Sequence, residues 1–102
     1  MNVQFKKGVL ELLVLSMIDK RDRYGYDVSD TLSQRIDIAA GTVYPILRKL
    51  KDEGFLKTYL SEVSAGPARK YYQITDKGRQ KYRSLKEEWQ QFIMLTDNIL
   101  ED

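Results

Sequence analysis

Apolar positions between Val9 and Ile18 run on with little interruption: Val9, Leu10, Leu12, Leu13, Val14, Leu15, Met17 and Ile18, broken only by Glu11 and Ser16. A helix patterned this way, expected over 8–19, belongs at the centre of a core. The charged stretch Asp19 to Arg23 reads as a turn. From about Tyr24 to Arg35, Tyr24, Val28 and Leu32 recur every four residues and mark one face of a second helix. Gly25, near its start, lowers helix propensity; it is explained if an aromatic ring or another backbone comes close there. Ile36-Asp37-Ile38 alternates and reads as a short extended piece.

A third helix is expected from about Ala40 to Glu53, with Val43, Ile46, Leu47 and Leu50 as its buried stripe. Pro45 is tolerated only near a helix start, which places that start within a few residues of Thr42, the expected cap. Gly54 fits the left-handed position after the helix, with Phe55 packing back on Leu50 as in a Schellman ending. Two strands follow, with Leu56 and Leu60 on one face of the first and Tyr72 and Ile74 on one face of the second. Between them, Ser61 to Arg69 contains the turn signal Gly66-Pro67 and predicts a hairpin with a flexible tip.

The last element is a long helix from about Asp76 to Leu100, capped by Thr75. Tyr82, Leu85, Trp89, Phe92, Thr96 and Ile99 are spaced 3-4-3-4-3, a heptad seam that Ile93 and Leu100 widen. At 1.5 Å per residue such a helix is ~37 Å long, more than a small core can cover, so a partner chain is expected over the rest. The order helix, helix, helix, strand, strand, helix defines an α+β, mainly α fold: a winged helix-turn-helix over residues 1–75 and a dimerisation helix over 76–102.

Composition narrows the chemistry. The chain has 102 residues, no Cys and no His. Disulfides, thiolate metal clusters and thiol nucleophiles are excluded, and the commonest metal ligand and general base are missing. No Gly-rich phosphate loop or paired-carboxylate motif points to an enzyme, and no cofactor is expected. The apolar run at the start is too short to span a bilayer, and no signal-peptide cleavage site follows it, so a cytoplasmic protein without a membrane partner is expected. The net charge is only +2, but Ala39 to Lys81 carries nine Lys/Arg against four Asp/Glu, whereas Tyr82 to Asp102 carries two against five. A basic middle and an acidic tail suggest separate tasks, although chance asymmetry of a solvated surface reads the same way.

Two blocks make the chain resemble the PadR family of transcriptional regulators. One is Tyr24-Gly25-Tyr26 with Gly41-Thr42-Val43-Tyr44-Pro45-Ile46-Leu47-Arg48-Lys49-Leu50 and Glu53-Gly54; the other is Gly66-Pro67-Ala68-Arg69-Lys70-Tyr71-Tyr72 with Thr75-Asp76-Lys77-Gly78. The resemblance runs from about Gly8 to Trp89. It implies a homodimeric repressor, and the single C-terminal helix is similar to the short branch of that family. It names no inducer.

The third helix is the candidate reader of the major groove of double-stranded DNA. Thr42, Tyr44, Pro45, Arg48 and Lys49 lie on or beside its exposed side, and Arg48 and Lys49 are best placed for base edges. Tyr44 reads either as a phosphate donor or as a half-buried packing residue, and Lys49 and Lys51 either as contacts or as solvated charge. Arg69, Lys70 and Tyr71 on the wing suit phosphate or minor-groove contacts, with Tyr72 turned to the core. Two reading heads about 34 Å apart would require a pseudo-palindromic operator. Tyr82, Leu85, Trp89, Phe92, Ile93, Thr96 and Ile99 form the candidate dimer seam. Trp89 is either an interface anchor or, with Leu12 and Phe92, the wall of a pocket for a flat, apolar or cationic inducer. Val9 and Met17 are further candidates for its walls. The competing reading is a winged-helix protein–protein interaction module without specific DNA binding.

Overall fold

The computed structural model describes residues 9–62 and 66–102. The segment before Val9, including the expected start of the first helix, and part of the expected hairpin tip lie outside the described residues. The elements are α1 (Leu10–Lys20), β1 (Arg23–Tyr24), α2 (Gly25–Ile36), α3 (Ala40–Asp52), β2 (Leu56–Ser61), β3 (Arg69–Ile74) and α4 (Asp76–Glu101). They form the winged-helix arrangement expected, with a long final helix.

The core is a single cluster. Leu10, Val14, Leu15 and Ile18 of α1 are buried against Val28 and Leu32 of α2, Val43, Leu47 and Leu50 of α3, and Leu56, Tyr72 and Ile74 of the sheet. In α1, Leu12, Leu13 and Met17 are only half-buried, which leaves two flanks of this central helix available to neighbours. Tyr82 and Leu85 of α4 pack against the same cluster, so the first half of the predicted seam serves this chain's own core.

The sheet has three antiparallel strands in the order β1-β3-β2. One edge strand, β1, takes Arg23 from the expected turn and Tyr24 from the expected start of the second helix: Arg23 pairs with Tyr72 and Tyr24 with Tyr71. On β2, Leu56 is buried but Leu60 is 69% exposed, because the outer half of the hairpin, where Leu60 pairs with Lys70, projects beyond the core. Strand alternation therefore holds near the body and loses its meaning toward the tip.

Helix ends depart from expectation at two places. Ile36 is the last residue of α2, and Asp37 takes a left-handed conformation at φ 54°, so Ile36-Asp37-Ile38 is not a single extended piece. Asp is among the few residues with a side chain that tolerate this region. At α3 the cap is Ala39, not Thr42, and no side chain bonds the free amides. The Thr42 amide donates to the Ala39 carbonyl at 2.9 Å instead, a tightened first turn. Pro45 consequently sits in the second turn of α3, opposite Gly41, which has open space around it.

The other ends form as the residues predict. Gly54 has φ 84°, its amide donates to the Lys51 carbonyl at 3.0 Å, and the Phe55 amide reaches Leu50 at 2.9 Å. This is the hydrogen-bond pair of a Schellman ending. Thr75 caps α4 by accepting from the Gly78 amide at 3.0 Å, while its single hydroxyl hydrogen is shared between the carbonyls of Gly54 at 2.8 Å and Phe55 at 3.1 Å. The Lys77 ammonium donates to the Glu53 carbonyl at 2.8 Å, where the dipole of α3 favours a cation. The end of α3 and the start of α4 are thereby riveted together.

Gly78 is the residue that permits this joint. A Cβ there would collide with the Phe55 carbonyl oxygen and lie 2.8 Å from Ile74 Cγ1. Gly78→Ala should therefore lower stability by about 2–3 kcal/mol despite alanine's better helix propensity. Thermal unfolding checks this; an unchanged or raised midpoint would show that the joint yields.

Candidate nucleic-acid interface

The exposed side of α3 is split into two flanks. Toward the wing, Tyr44, Arg48 and Lys51 face Lys70 of β3 across a cleft of about 370 Å³, whose inner wall is Tyr24, Gly25, Tyr26 and Tyr72. Toward α1, Thr42, Pro45 and Lys49 share a shallower depression with Gly41, Ile46 and Glu11. The predicted α3 residues are thus brought to one surface but not to one site.

The wing-side cleft owes its shape to Gly25. A Cβ at this position would stand 3.2 Å from the Tyr72 ring and 3.7 Å from that of Tyr44. The close aromatic approach that Gly25 suggested is present, and it seats Tyr44 at the junction of α2, α3 and β3. Tyr44 is 36% exposed, so packing and an available hydroxyl coexist. Burial raises its pKa above the ordinary phenol range, with a further push from Tyr24 and Tyr26. Tyr72 is raised mainly by burial, although the nearby Arg48 guanidinium opposes this. Both tyrosines are therefore neutral donors at physiological pH.

Three cations, Arg48, Lys51 and Lys70, line this cleft without a carboxylate among its walls. Such a concavity fits a phosphodiester, which takes hydrogen bonds from phenols and charge from Arg and Lys. From sequence Tyr24 reads as a face residue of the second helix and Tyr26 only as part of the Tyr24-Gly25-Tyr26 run; both stand on the cleft wall, and that run is the signal for it. Lys51, which from sequence reads either as a contact or as solvated charge, stands on the cleft wall.

Lys49 is placed differently. Its ammonium lies 3.3 Å from Glu11 of α1 and 3.8 Å from Glu53, one turn on. It is not a freely projecting cation, and the expectation that ranked it with Arg48 for base edges omitted this carboxylate from another helix. Arg69 lies with its guanidinium 5.2 Å from the centre of the Tyr24 ring. Tyr71 is the middle of an aromatic row, 5.7 Å from Tyr59 in a stacked arrangement and 6.1 Å from Tyr24. The Tyr59 hydroxyl donates to Asp22 at 2.6 Å, which anchors the row to the loop before β1. The wing residues are thus braced by rings at the base of the hairpin.

A second concavity lies away from these cations. Val9 just before α1, Leu12 of α1 and Leu85, Trp89 and Phe92 of α4 enclose a groove of about 500 Å³, with Glu11 and Glu88 also in its wall. Leu12, Trp89 and Phe92, the predicted effector residues, meet here; the Trp89 and Phe92 rings are 6.5 Å apart. Met17 does not join them and lines a depression between α1 and α2. Beyond the groove the seam is open: Phe92 is 61%, Ile93 39% and Ile99 73% exposed, and Leu95 and Leu100 lie beside them. Among the described residues no group of His, Cys, Asp and Glu could hold a metal ion, and no helix is long and apolar enough to cross a membrane.

Comparison with known proteins agrees with this architecture. Residues 14–84 match the Transcriptional regulator PadR-like family. A PadR-like transcriptional regulator from Bacillus cereus superimposes with a TM-score of 0.87 at 35% identity, covering 97% of this chain and 98% of that one. The Negative transcriptional regulator PadR of Bacillus subtilis is 32% identical over 76 residues, which are 71% of this chain and 42% of that protein. The crystal structure of Bacillus subtilis PadR in complex with operator DNA superimposes with a TM-score of 0.65 at 29% identity, over 74% of this chain and 45% of that one. The chain belongs to the PadR-like family of transcriptional regulators.

Proposed function

We propose that the protein is a cytoplasmic, homodimeric repressor that reads a pseudo-palindromic operator with α3 and is released by a small aromatic ligand held near Trp89. The observation that carries the DNA-binding reading is the phenol-walled cleft beside α3, where Arg48, Lys51 and Lys70 converge. The operator complex and the negative regulatory role of the Bacillus subtilis relative support it. In this reading residues 1–75 hold the DNA and 76–102 hold the second copy.

Within the interface, Arg48 reads base edges. Thr42, Tyr44 and Pro45 set the approach of α3 to the backbone, with Tyr24, Tyr26 and Lys51 beside them. Arg69, Lys70 and Tyr71 contact phosphate from the wing. Lys49 contributes only when it leaves Glu11. The homodimer reading rests on the open stripe of α4: Phe92, Ile93, Leu95, Ile99 and Leu100 have no core of their own. A second copy pairing on Trp89, Phe92, Ile93, Thr96 and Ile99 would cover the stripe and close the groove. A ligand in that groove would change the separation of the two heads and favour a state that does not fit the operator.

An electrophoretic shift with DNA upstream of the protein's own gene tests the central reading. Retarded complexes should weaken steeply as salt rises, because each neutralised phosphate releases counterion. Arg48→Ala should cost about 1–3 kcal/mol and relax sequence preference. Salt-independent binding, or none at low salt, would favour a protein–protein interaction module instead. Glu11→Gln should act in the opposite direction: freeing a surface ion pair worth about 0.2–1 kcal/mol, it should tighten DNA binding up to about fivefold. Weaker or unchanged affinity in Glu11→Gln would contradict the restraint assigned to that carboxylate. Trp89 is the chain's one tryptophan, so its fluorescence reports the groove directly. Planar aromatic compounds, neutral and cationic, should quench it; a flat response across such a panel would remove the ligand from the account.

A further inference from the structure

The seam residues 82, 85, 89, 92, 96 and 99 are spaced symmetrically about the midpoint between Gln90 and Gln91. Two copies crossing there in antiparallel fashion set Tyr82 of each against Ile99 of the other, Leu85 against Thr96, and Trp89 against Phe92. The same register places the partner's last residue level with Arg79. A parallel pairing would instead align Asp97, Glu101 and Asp102 with their own counterparts, like charge against like charge.

What lies at the level of Arg79 follows from the way α4 runs along α1. Arg79 is 3.5 Å from Asp19, the Tyr82 hydroxyl is 3.5 Å from that of Ser16, and Leu85, Trp89 and Phe92 share the groove of Val9 and Leu12. The two helices are therefore antiparallel. A partner helix laid on the seam runs back along α1 toward Lys20. There, between α1 and α2, is a depression of about 270 Å³ floored by Leu13, Met17, Leu32 and Ile36 and rimmed by Lys20 and Arg35. Both cations are exposed, and among the described residues neither has an ion-pair partner.

The end of α4 is the complement of this notch. Ile99 and Leu100 are 73% and 77% exposed, and Asp97, Glu101 and Asp102 likewise lack an ion-pair partner among the described residues. We propose that the acidic C-terminal turn of one copy docks on the α1–α2 notch of the other, with Leu100 over Met17 and Glu101 and Asp102 on Lys20 and Arg35. This rests on the homodimer reading and adds to it a second contact per copy, which sets the register of the seam. The two-fold repeats the contact, so each substitution acts twice.

Sedimentation equilibrium and cysteine cross-linking test it together. Glu101→Lys with Asp102→Lys should weaken dimerisation about tenfold at low salt, as should Lys20→Glu with Arg35→Glu. All four together should restore it to within about twofold. The chain has no cysteine, so Met17→Cys with Leu100→Cys provides a clean probe. Within one chain these positions lie about 25 Å apart along the helices at 1.5 Å per residue, far beyond disulfide reach. Oxidation should give a covalent dimer with the double variant and none with Leu100→Cys alone. Cross-linking by Leu100→Cys alone would mean a parallel pairing and would overturn the proposal, as would a charge swap that fails to restore affinity. Wild-type protein sedimenting as a monomer at ~50 μM, well above the range of a specific dimer, would instead sink the homodimer reading itself.

Discussion

One helix is longer than the core that supports it. α4 has 26 residues, about 39 Å at 1.5 Å per residue, and only its first half packs against the core cluster. The remainder carries Phe92, Ile93, Leu95, Ile99 and Leu100 into solvent. Covering a large apolar side chain stabilises by about 1.5–3 kcal/mol, so five of them approach the net stability of a whole small domain, about 5–15 kcal/mol. A monomer forgoes that energy. The proposed dimer recovers it, and the proposed arrangement of the DNA-reading surface follows from where the two-fold then falls.

That dependence matters because α4 is not loosely attached. Thr75 caps α4 and at the same time shares its hydroxyl hydrogen between the carbonyls of Gly54 and Phe55, and Lys77 holds the C-terminal cap of α3 at Glu53. Gly78 lets the helix start press against the backbone of Phe55. A shift of α4 therefore bears on the C-terminal end of α3, the helix assigned to DNA reading. The groove around Trp89 lies at the other end of the α1–α4 contact, and its wall includes Glu11, which also holds Lys49. The groove is thus tied to α3 at two places, through the start of α4 at one end and through the Glu11–Lys49 ion pair at the other.

Much of the fold was legible because its signals are local. Gly54 with Phe55 announced the Schellman ending, Thr75 the cap of α4, and Gly25 the approach of an aromatic ring. Each depends on backbone freedom or on a hydrogen bond a few residues away. The misreadings share another cause. β1 has two residues, too few for alternation, and exists because Arg23 and Tyr24 find Tyr72 and Tyr71 of β3. Leu60 obeys the alternation of its strand but sits where the hairpin has left the core. The cap expected at Thr42 lies three residues earlier, at Ala39, where a tight turn supports the helix start without a side chain. The same limit applies to the candidate interface. Arg48 and Tyr44 could be ranked from the helix pattern, but the partition of α3 into a free flank and a flank held by Glu11 depends on a contact 38 residues distant in sequence.

Hydrogen exchange along α4 reads the central constraint most directly, because it compares the two halves of one helix. If a second copy covers the stripe, amides from Phe92 to Ile99 should exchange nearly as slowly as those from Asp76 to Leu85 in concentrated protein, and should lose that protection on dilution. Fast exchange of the outer half at every concentration, with the inner half unaffected, would mean that the stripe stands uncovered and that the account of its purpose is wrong.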